Sequence, residues 1–233
     1  MRKMTFTALA ALALVSVSLT SCLKDSYESI QGYQYIGDFR DNDTTTIYSD
    51  NGLIFKITDR NCGGTLKGLD RVVFVIDILK KTDQELTYNC KLTGFVGVTV
   101  SPALKTSTAG DISQYGSDEV TVHSKWFSAG YINLLASVQA RKGSNDMHSF
   151  ALVLDEERED QDGALVFILK HNANGDVPTE ETKDEFIKLG YYLSFTLDGI
   201  DYDANTIFKI EWGDEDQVEE QSVPEGHANK AII

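Results

Sequence analysis

Apolar and polar residues alternate along much of the chain with a period of two, which is typical of half-buried β-strands. Within residues 53–58, Leu53, Phe55 and Ile57 share one face, and polar side chains share the other. Residues 72–76 are apolar on both faces, which predicts a central strand. The strands predicted in this half cover residues 34–39, 53–58, 71–80, 86–92 and 94–100. The first half is therefore predicted to be a small all-β unit.

The same pattern returns in the second half. Within residues 131–138, Ile132 and Leu134 share one face, and Tyr131 and Asn133 share the opposite face. Further strands are predicted over residues 120–123, 150–154, 164–169, 193–198 and 208–212. Five or more strands at this spacing predict a β-sandwich.

A change of composition separates the two series of strands. Residues 105–118 are rich in Ser, Thr, Gly, Asp and Gln, so we predict a linker there. It divides a domain over residues 34–104 from a β-sandwich over residues 119–213. Periodicity alone supports either a small barrel or a sandwich for the first domain. Residues 214–233 are acidic and then polar, and we expect a tail.

The start of the chain has the layout of an export signal. Arg2 and Lys3 precede an apolar run over residues 6–19, which is shorter than the ~20 residues of a membrane-spanning helix. The run ends in Leu19-Thr20-Ser21-Cys22, which resembles the lipobox of bacterial lipoproteins. In a lipobox the Cys receives a diacylglyceryl group, and the signal is cut just before it. An ordinary signal peptide with an incidental Cys is the alternative.

The lipobox resemblance implies a cellular location. Residues 1–21 would be removed, Cys22 would carry the lipid that holds the protein at the membrane, and residues 22–33 would form a tether. Leu23 replaces the Asp that commonly retains such proteins at the inner membrane, so the resemblance implies an outer-membrane lipoprotein. Lys24, Asp25 and Glu28 are similar to the charged surface-export signals of some Bacteroidetes lipoproteins, so we expect either periplasmic or surface exposure.

The charge of the chain limits its partners. The formal net charge is -15, and removal of Arg2 and Lys3 with the signal lowers it to -17. Such a surface repels nucleic acid, so we expect neither DNA nor RNA as a partner. Charge of this size also keeps a protein soluble, and we expect a monomer.

Cysteine usage agrees with an exported protein. Apart from Cys22, the chain contains Cys62 and Cys90. In an oxidising compartment an even pair predicts one disulfide, and the alternative is a pair of buried thiols.

No motif indicates catalysis or metal binding. The four histidines, His123, His148, His171 and His227, lack metal-ligand spacing, and we expect each to be an exposed polar residue. The acidic residues 155–163 do not fit a calcium loop and predict a hairpin connection. We therefore predict no catalytic residue, no metal and no cofactor. A serine or carboxylate site assembled from distant residues stays open as an alternative.

Aromatic residues cluster near the start of the second domain. Trp126, Phe127 and Tyr131 flank residues 128–130, and Tyr191 and Tyr192 open a later strand. Exposed aromatic rings are used for sugar binding because their apolar faces pack on pyranose rings. A Trp buried in the sandwich core is the alternative.

Two segments carry a family resemblance. Trp126-Phe127-Ser128-Ala129-Gly130-Tyr131-Ile132-Asn133-Leu134, and then Leu169-Lys170-His171-Asn172 with Asp176, are similar to NigD-like lipoproteins of Bacteroidales. The resemblance implies an N-terminal OB-like β-barrel followed by a C-terminal β-sandwich. The family is named after a bacteriocin locus, and its member there was suggested to be an immunity protein. The candidate ligand contacts are Trp126, Tyr131, Asn133 and His171.

These observations favour a lipid-anchored, non-enzymatic binding protein of the envelope or cell surface, with a role that resembles bacteriocin immunity. Its ligand would be a protein or a glycan. The alternatives are a carbohydrate-binding accessory lipoprotein at the outer membrane and a hydrolase with a dispersed site.

Overall fold

The computed structural model describes residues 30–143, 148–158, 163–213 and 219–222. The strands in these ranges are β1 Ile30–Arg40, β2 Asp43–Ser49, β3 Ile54–Arg60, β4 Arg71–Lys81, β5 Thr87–Gly97, β6 Thr99–Pro102, β7 Leu104–Lys105, β8 Thr121–Ser128, β9 Tyr131–Arg141, β10 Ser149–Leu154, β11 Leu165–Asn172, β12 Phe186–Thr196, β13 Ile207–Trp212 and β14 Glu219–Ser222. Helical segments are short: α1 Thr106–Ala109 and the 3-10 helices Ile112–Tyr115 and Lys183–Glu185. The all-β prediction is confirmed. The predicted signal peptide, Cys22 and most of the predicted tail lie outside the described residues.

The first five strands close into a barrel in the order β1-β2-β3-β5-β4. Strands β3 and β5 run parallel, and the other neighbouring pairs are antiparallel. Its interior is filled by fully buried apolar side chains: Ile47, Phe55, Val72, Phe74, Ile76 and Leu92. Gly37 on β1 is required by close packing, because a Cβ there would collide with the backbone carbonyl of Tyr48 on β2. The predicted OB-like barrel is confirmed.

The two cysteines of the barrel are free thiols. Cys90 on β5 is fully buried, and the half-buried Cys62 packs against the same apolar core. Burial raises the pKa of the Cys90 thiol to about 12, because an apolar interior disfavours a thiolate. The disulfide prediction is therefore wrong for this structure, and the alternative of two packed thiols is the arrangement found.

Two sheets form the second domain, with strand orders β14-β13-β11-β10-β7 and β6-β12-β9-β8. Their inner faces enclose a core of large apolar side chains: Phe127, Ile132, Leu134, Phe167, Leu169, Phe195, Phe208 and Trp212. This confirms the predicted C-terminal β-sandwich. The outer face of the sheet β6-β12-β9-β8 is directed in part towards the barrel, since Ser194 and Asn133 on it bond to Arg71 of β4.

The sandwich begins at β6, before the end of the predicted first domain (residues 34–104) and before the predicted linker (residues 105–118). β6 pairs in parallel with β12, and β7 pairs in parallel with β10, so both strands belong to the sandwich. The polar residues that suggested a linker make local bonds instead. Asp111 accepts a hydrogen bond from the backbone N–H of Ser113, which caps the 3-10 helix Ile112–Tyr115.

Candidate ligand-binding cleft between the domains

Strand alternation and register assemble one row of side chains on the outer face of a sandwich sheet. Ile132 and Leu134 point into the core, so Asn133 between them points outward. Asn133 on β9 is paired with Trp126 on β8 and with Ser194 on β12. These three side chains therefore stand side by side across the sheet.

Arg71, the first residue of β4, meets this row from the barrel. It is 1% exposed. Its Nη1 donates to Asp38 Oδ1 at 2.6 Å and to Asp50 Oδ1 at 2.9 Å, and its Nη2 donates to the other Asp50 oxygen. Nη2 also donates to Asn133 Oδ1 at 3.2 Å, and Nε donates to Ser194 Oγ at 3.0 Å. A guanidinium has five N–H donors, and each has an acceptor here.

The acceptors are tied to one another. Ser194 Oγ donates to Asn133 Oδ1 at 2.6 Å, and Asn133 Nδ2 donates to Ser128 Oγ at 3.0 Å. Ser128 Oγ in turn donates to Asp50, which belongs to the barrel. The Arg71 guanidinium carbon lies 4.0 Å from the centre of the Tyr131 ring.

We name this network the Arg71 clamp; its members are Asp38, Asp50 and Arg71 from the barrel and Ser128, Tyr131, Asn133 and Ser194 from the sandwich. Among the residues that the structure describes, no buried side-chain nitrogen or oxygen lacks a hydrogen-bond partner. A buried charge is tolerated only when it is paired and bonded in this way. The clamp therefore holds the two domains in one arrangement.

Burial and charge shift the titration of the clamp. Burial raises the pKa of Asp38, and the charge of Arg71 opposes this rise. For Arg71, burial acts to lower the pKa, but its bonds to Asp50 and Asp38 outweigh burial and raise it. Burial, together with the charge of Asp38, also raises the pKa of Tyr131. Arg71 thus stays charged.

A cleft of about 460 Å³ opens beside the clamp. Small-ligand sites commonly have volumes of ~300–1,000 Å³ and lie between domains. The sandwich contributes Trp126, Ser128 and Tyr192, and the barrel contributes the remaining lining residues: Gln34, Tyr35, Ile36, Asp50, Asn51 and Val73. Gln34 Nε2 donates to the Tyr192 hydroxyl at 3.4 Å, so the two walls also meet through a direct bond.

A tight turn positions one wall of the cleft. Ala129 and Gly130 connect β8 to β9, with φ of 50° and 84°. Positive φ at both central residues is characteristic of type I′ hairpins, in which the turn follows the twist of the strands. The turn brings Ser128 and Tyr131 opposite each other at the end of the hairpin, where both contact the clamp.

The four predicted ligand contacts have different positions. Trp126 is half-buried and lines the cleft. Tyr131 and Asn133 belong to the clamp, and Asn133 is fully buried. His171 lies elsewhere in the sandwich. Sequence reasoning did not identify Arg71 or the barrel wall; the available signal was a charged residue directly before the apolar run 72–76.

A second buried polar cluster surrounds His171, which is 2% exposed. Its Nε2 lies 2.9 Å from Nδ1 of His148, whose side chain is fully buried. His148 Nε2 lies 3.2 Å from Asp176 Oδ2. The prediction of exposed histidines is wrong for His148 and His171, since both are enclosed by sandwich strands and loops. His123 is exposed as expected, and His227 lies outside the described residues.

Hydrogen-bond geometry assigns protons in this histidine cluster. His171 Nδ1 faces the carbonyl oxygens of Asp118 at 3.2 Å and Glu119 at 3.0 Å, so it must donate. In neutral His171 the other ring nitrogen then accepts a hydrogen bond from His148 Nδ1. Burial lowers the pKa of His171, although its bond to the Asp118 carbonyl opposes the effect.

The histidine cluster is a poor candidate for a binding site. The adjoining cavity measures about 180 Å³, and the cluster's polar atoms bond chiefly to one another and to backbone groups. In the described ranges, no group of three or more His, Cys, Asp or Glu side chains is arranged to hold a metal ion. The described helices are too short or too polar to cross a membrane.

Comparison with known proteins identifies the second domain. The family model described as "NigD-like C-terminal beta sandwich domain" matches residues 102–223, just over half of the chain. That range begins at the end of β6 and contains Trp126 and all sandwich members of the clamp. No curated protein matches the chain at a significant level.

Solved structures share the fold of both domains. A NigD-like immunity protein from Bacteroides caccae is 19% identical, with a TM-score of 0.54 over 84% of this chain and 94% of that one. A protein of Parabacteroides distasonis, provisionally named as toxin-related, is 15% identical, with a TM-score of 0.62 over 84% and 95%. A provisionally named lipoprotein of Bacteroides fragilis is 13% identical, with a TM-score of 0.51 over 82% and 96%. At these identities the likeness concerns the fold.

Proposed function

Since this chain belongs to the NigD-like family, we propose that it acts as a lipid-anchored, non-enzymatic binding protein of the bacterial envelope. Its ligand occupies the cleft beside the Arg71 clamp. The observation that carries the proposal is the joint construction of this cleft by both domains, with Trp126 and Tyr192 on one wall and Gln34 and Tyr35 on the other.

The clamp supports binding rather than turnover. Asp50 is a carboxylate of the cleft, but both of its oxygens accept bonds from Arg71, and Ser128 donates to it as well. A carboxylate whose oxygens are occupied by such internal partners is poorly placed to exchange a proton with a bound ligand. Assays with generic ester and glycoside substrates should detect no turnover; activity that is lost on Asp50→Asn would overturn the non-enzymatic assignment.

The envelope location rests on the lipobox-like Leu19 to Cys22 and on the lipoprotein name of a structural neighbour. We expect wild-type protein to incorporate labelled fatty acid and to sediment with outer membranes. Cys22→Ser should abolish both, with Cys62→Ser as the control that retains both. Protease treatment of intact cells would separate surface from periplasmic exposure.

An immunity-like role is supported by neighbours named as an immunity protein and as toxin-related. In this second candidate role the ligand would be a protein toxin that reaches the envelope. Deleting the gene should make cells sensitive to bacteriocins of competing strains. Wild-type protein should restore resistance, and Trp126→Ala should not, provided that it accumulates to the same level. Unchanged sensitivity of the deletion strain to a broad bacteriocin panel would exclude this role.

A further inference from the structure

We propose that the cleft binds a short, uncharged saccharide. This inference rests on the proposed function, because it assigns a ligand class to the same cleft. Its basis is the combination of an indole ring that lines the cleft, neutral amide groups with spare hydrogen-bonding capacity, and an Arg71 cation that is already paired inside the clamp.

Trp126 supplies an aromatic surface that the fold does not use. Its side chain is half-buried, and within the described ranges no ring stacks on it and its indole N–H donates no hydrogen bond. The other tryptophan differs. Trp212 is 8% exposed, packs in the sandwich core and lies 5.0 Å beneath the ammonium group of Lys125. An indole that lines a cleft and whose N–H has no partner among the described residues suits a pyranose, which has an apolar C–H face beside its hydroxyls.

The remaining polar groups of the cleft are neutral and incompletely bonded. Gln34 uses its amide nitrogen for Tyr192, and no described group donates to its carbonyl oxygen. Asn51 shows the reverse: its carbonyl oxygen accepts from Ser49 and Leu53, and no described group accepts from its amide nitrogen. One spare acceptor and one spare donor match hydroxyl groups, which both donate and accept.

Charge argues against an anionic ligand, and hydrogen bonding argues against an apolar one. None of the described residues that line the cleft is a Lys or an Arg, and the neighbouring Arg71 is enclosed in the clamp. With a net charge of -15 on the chain, an anionic ligand would be repelled. A purely apolar ligand would leave Gln34 and Asn51 without partners on binding, which costs free energy. A neutral polyhydroxylated ligand needs no cation in the cleft, is not repelled by the acidic chain, and can bond to both Gln34 and Asn51.

The clamp also pre-organises the cleft, which favours ligands that gain little free energy per contact. Trp126 is paired with Asn133 on the neighbouring strand, and Asn133 is fixed by Arg71 and Ser194. The wall therefore needs little ordering when the ligand enters, and less binding free energy is lost. A sugar gains little per contact, so such preparation matters for its affinity.

The test is a glycan array probed with the chain from residue 22 to 233, which keeps both domains, followed by calorimetric titration of each retained sugar. We expect neutral glycans to be retained. Trp126→Ala should weaken their binding roughly tenfold or more, and Trp126→Phe should weaken it less, as expected for an aromatic anchor. Tyr115→Ala, a half-buried aromatic outside the cleft, is the matched control and should retain wild-type affinity.

Two results would overturn the sugar assignment: no glycan is retained, or retained glycans bind Trp126→Ala as well as wild type. A peptide array run in parallel separates this failure from that of the proposed function. Peptide binding that is lost in Trp126→Ala, without sugar binding, would keep the cleft as a binding site and reject saccharides. If neither array gives Trp126-dependent binding, both proposals fail. Circular dichroism checks that each variant is folded.

Discussion

Two buried polar clusters in the described part of the chain serve different purposes. The Arg71 clamp joins the barrel to the sandwich, whereas the His148–His171–Asp176 cluster ties together segments of the sandwich alone. Both clusters satisfy their buried polar atoms with partners inside the protein. Of the two, the clamp has the larger cavity beside it, and in the described part of the chain no ring stacks on Trp126, which lines that cleft. A cluster whose polar atoms all bond inside the protein has a structural role. The candidate binding site is the cleft beside such a cluster, where side chains still have hydrogen-bonding groups or ring surface available.

Replacing the central cation should give the largest effect on stability. Arg71→Met leaves Asp38 and Asp50 without their main partner, and breaking a buried ion pair in this way costs about 3–5 kcal/mol. We expect urea denaturation to show this loss, with separate unfolding of barrel and sandwich. Arg40→Met is the control, since Arg40 is exposed, lies over the Tyr48 ring and acts on Asp38 through its charge less than Arg71 does. Equal, small losses for both variants would contradict the clamp.

The histidine cluster should respond to acid. Burial in the folded protein lowers the pKa of His171. Below the ordinary His pKa of about 6.5, the unfolded chain therefore binds a proton at this residue more readily than the folded protein does. The free energy of unfolding should therefore fall as the pH falls from 7.5 through this range. His171→Gln should flatten the dependence, and His123→Gln should leave it unchanged because His123 is exposed. The nearby His148, Asp118 and Asp176 are retained in both variants.

Removing one clamp acceptor should have a moderate effect. Ser194→Ala leaves the Arg71 Nε–H without its partner at 3.0 Å, and an unsatisfied buried donor costs about 1–3 kcal/mol. Ser124→Ala, on the exposed part of β8, is the matched control and should change stability by less than about 0.5 kcal/mol. Chemical denaturation of both variants measures the difference. A cost for Ser194→Ala as small as that of the control would mean that the two domains are not held by this bond.

One substitution in the β8–β9 hairpin beside the cleft should raise the stability of the protein slightly. Ala129 has a φ of 50°, a conformation that Asn tolerates better than Ala, and Asn-Gly is a favoured type I′ pair. We expect Ala129→Asn to raise stability by roughly 0.5 kcal/mol without changing ligand affinity. Ala129→Val is the opposite change and should destabilise, because β-branched residues disfavour positive φ. Thermal unfolding of the three proteins gives the order.

Much of the fold follows from local patterns. Alternation places Ile132 and Leu134 in the core and Asn133 outside it, and the apolar run after Arg71 becomes a buried barrel strand. The pattern gives the face of a side chain but not what covers that face. Asn133 points outward from its sheet and is nevertheless fully buried, because the barrel lies over it.

The parts that the sequence did not predict depend on distant residues. Arg71 meets Ser194 across 123 positions, and His148 meets His171 across 23. No spacing rule connects such pairs, so the clamp and the buried histidines required the three-dimensional structure. The disulfide prediction failed for a related reason: composition and compartment suggest that two thiols can pair, whereas packing in the barrel leaves them free.

The most direct test uses the two tryptophans of the chain as paired reporters. In a ¹⁵N NMR spectrum, each indole N–H gives one signal, from Trp126 in the cleft and from Trp212 in the sandwich core. Titration with a glycan retained on the array should shift the Trp126 signal progressively and leave the Trp212 signal in place. A bound glycan that leaves Trp126 unshifted, or that shifts Trp212 instead, would contradict the cleft as the binding site.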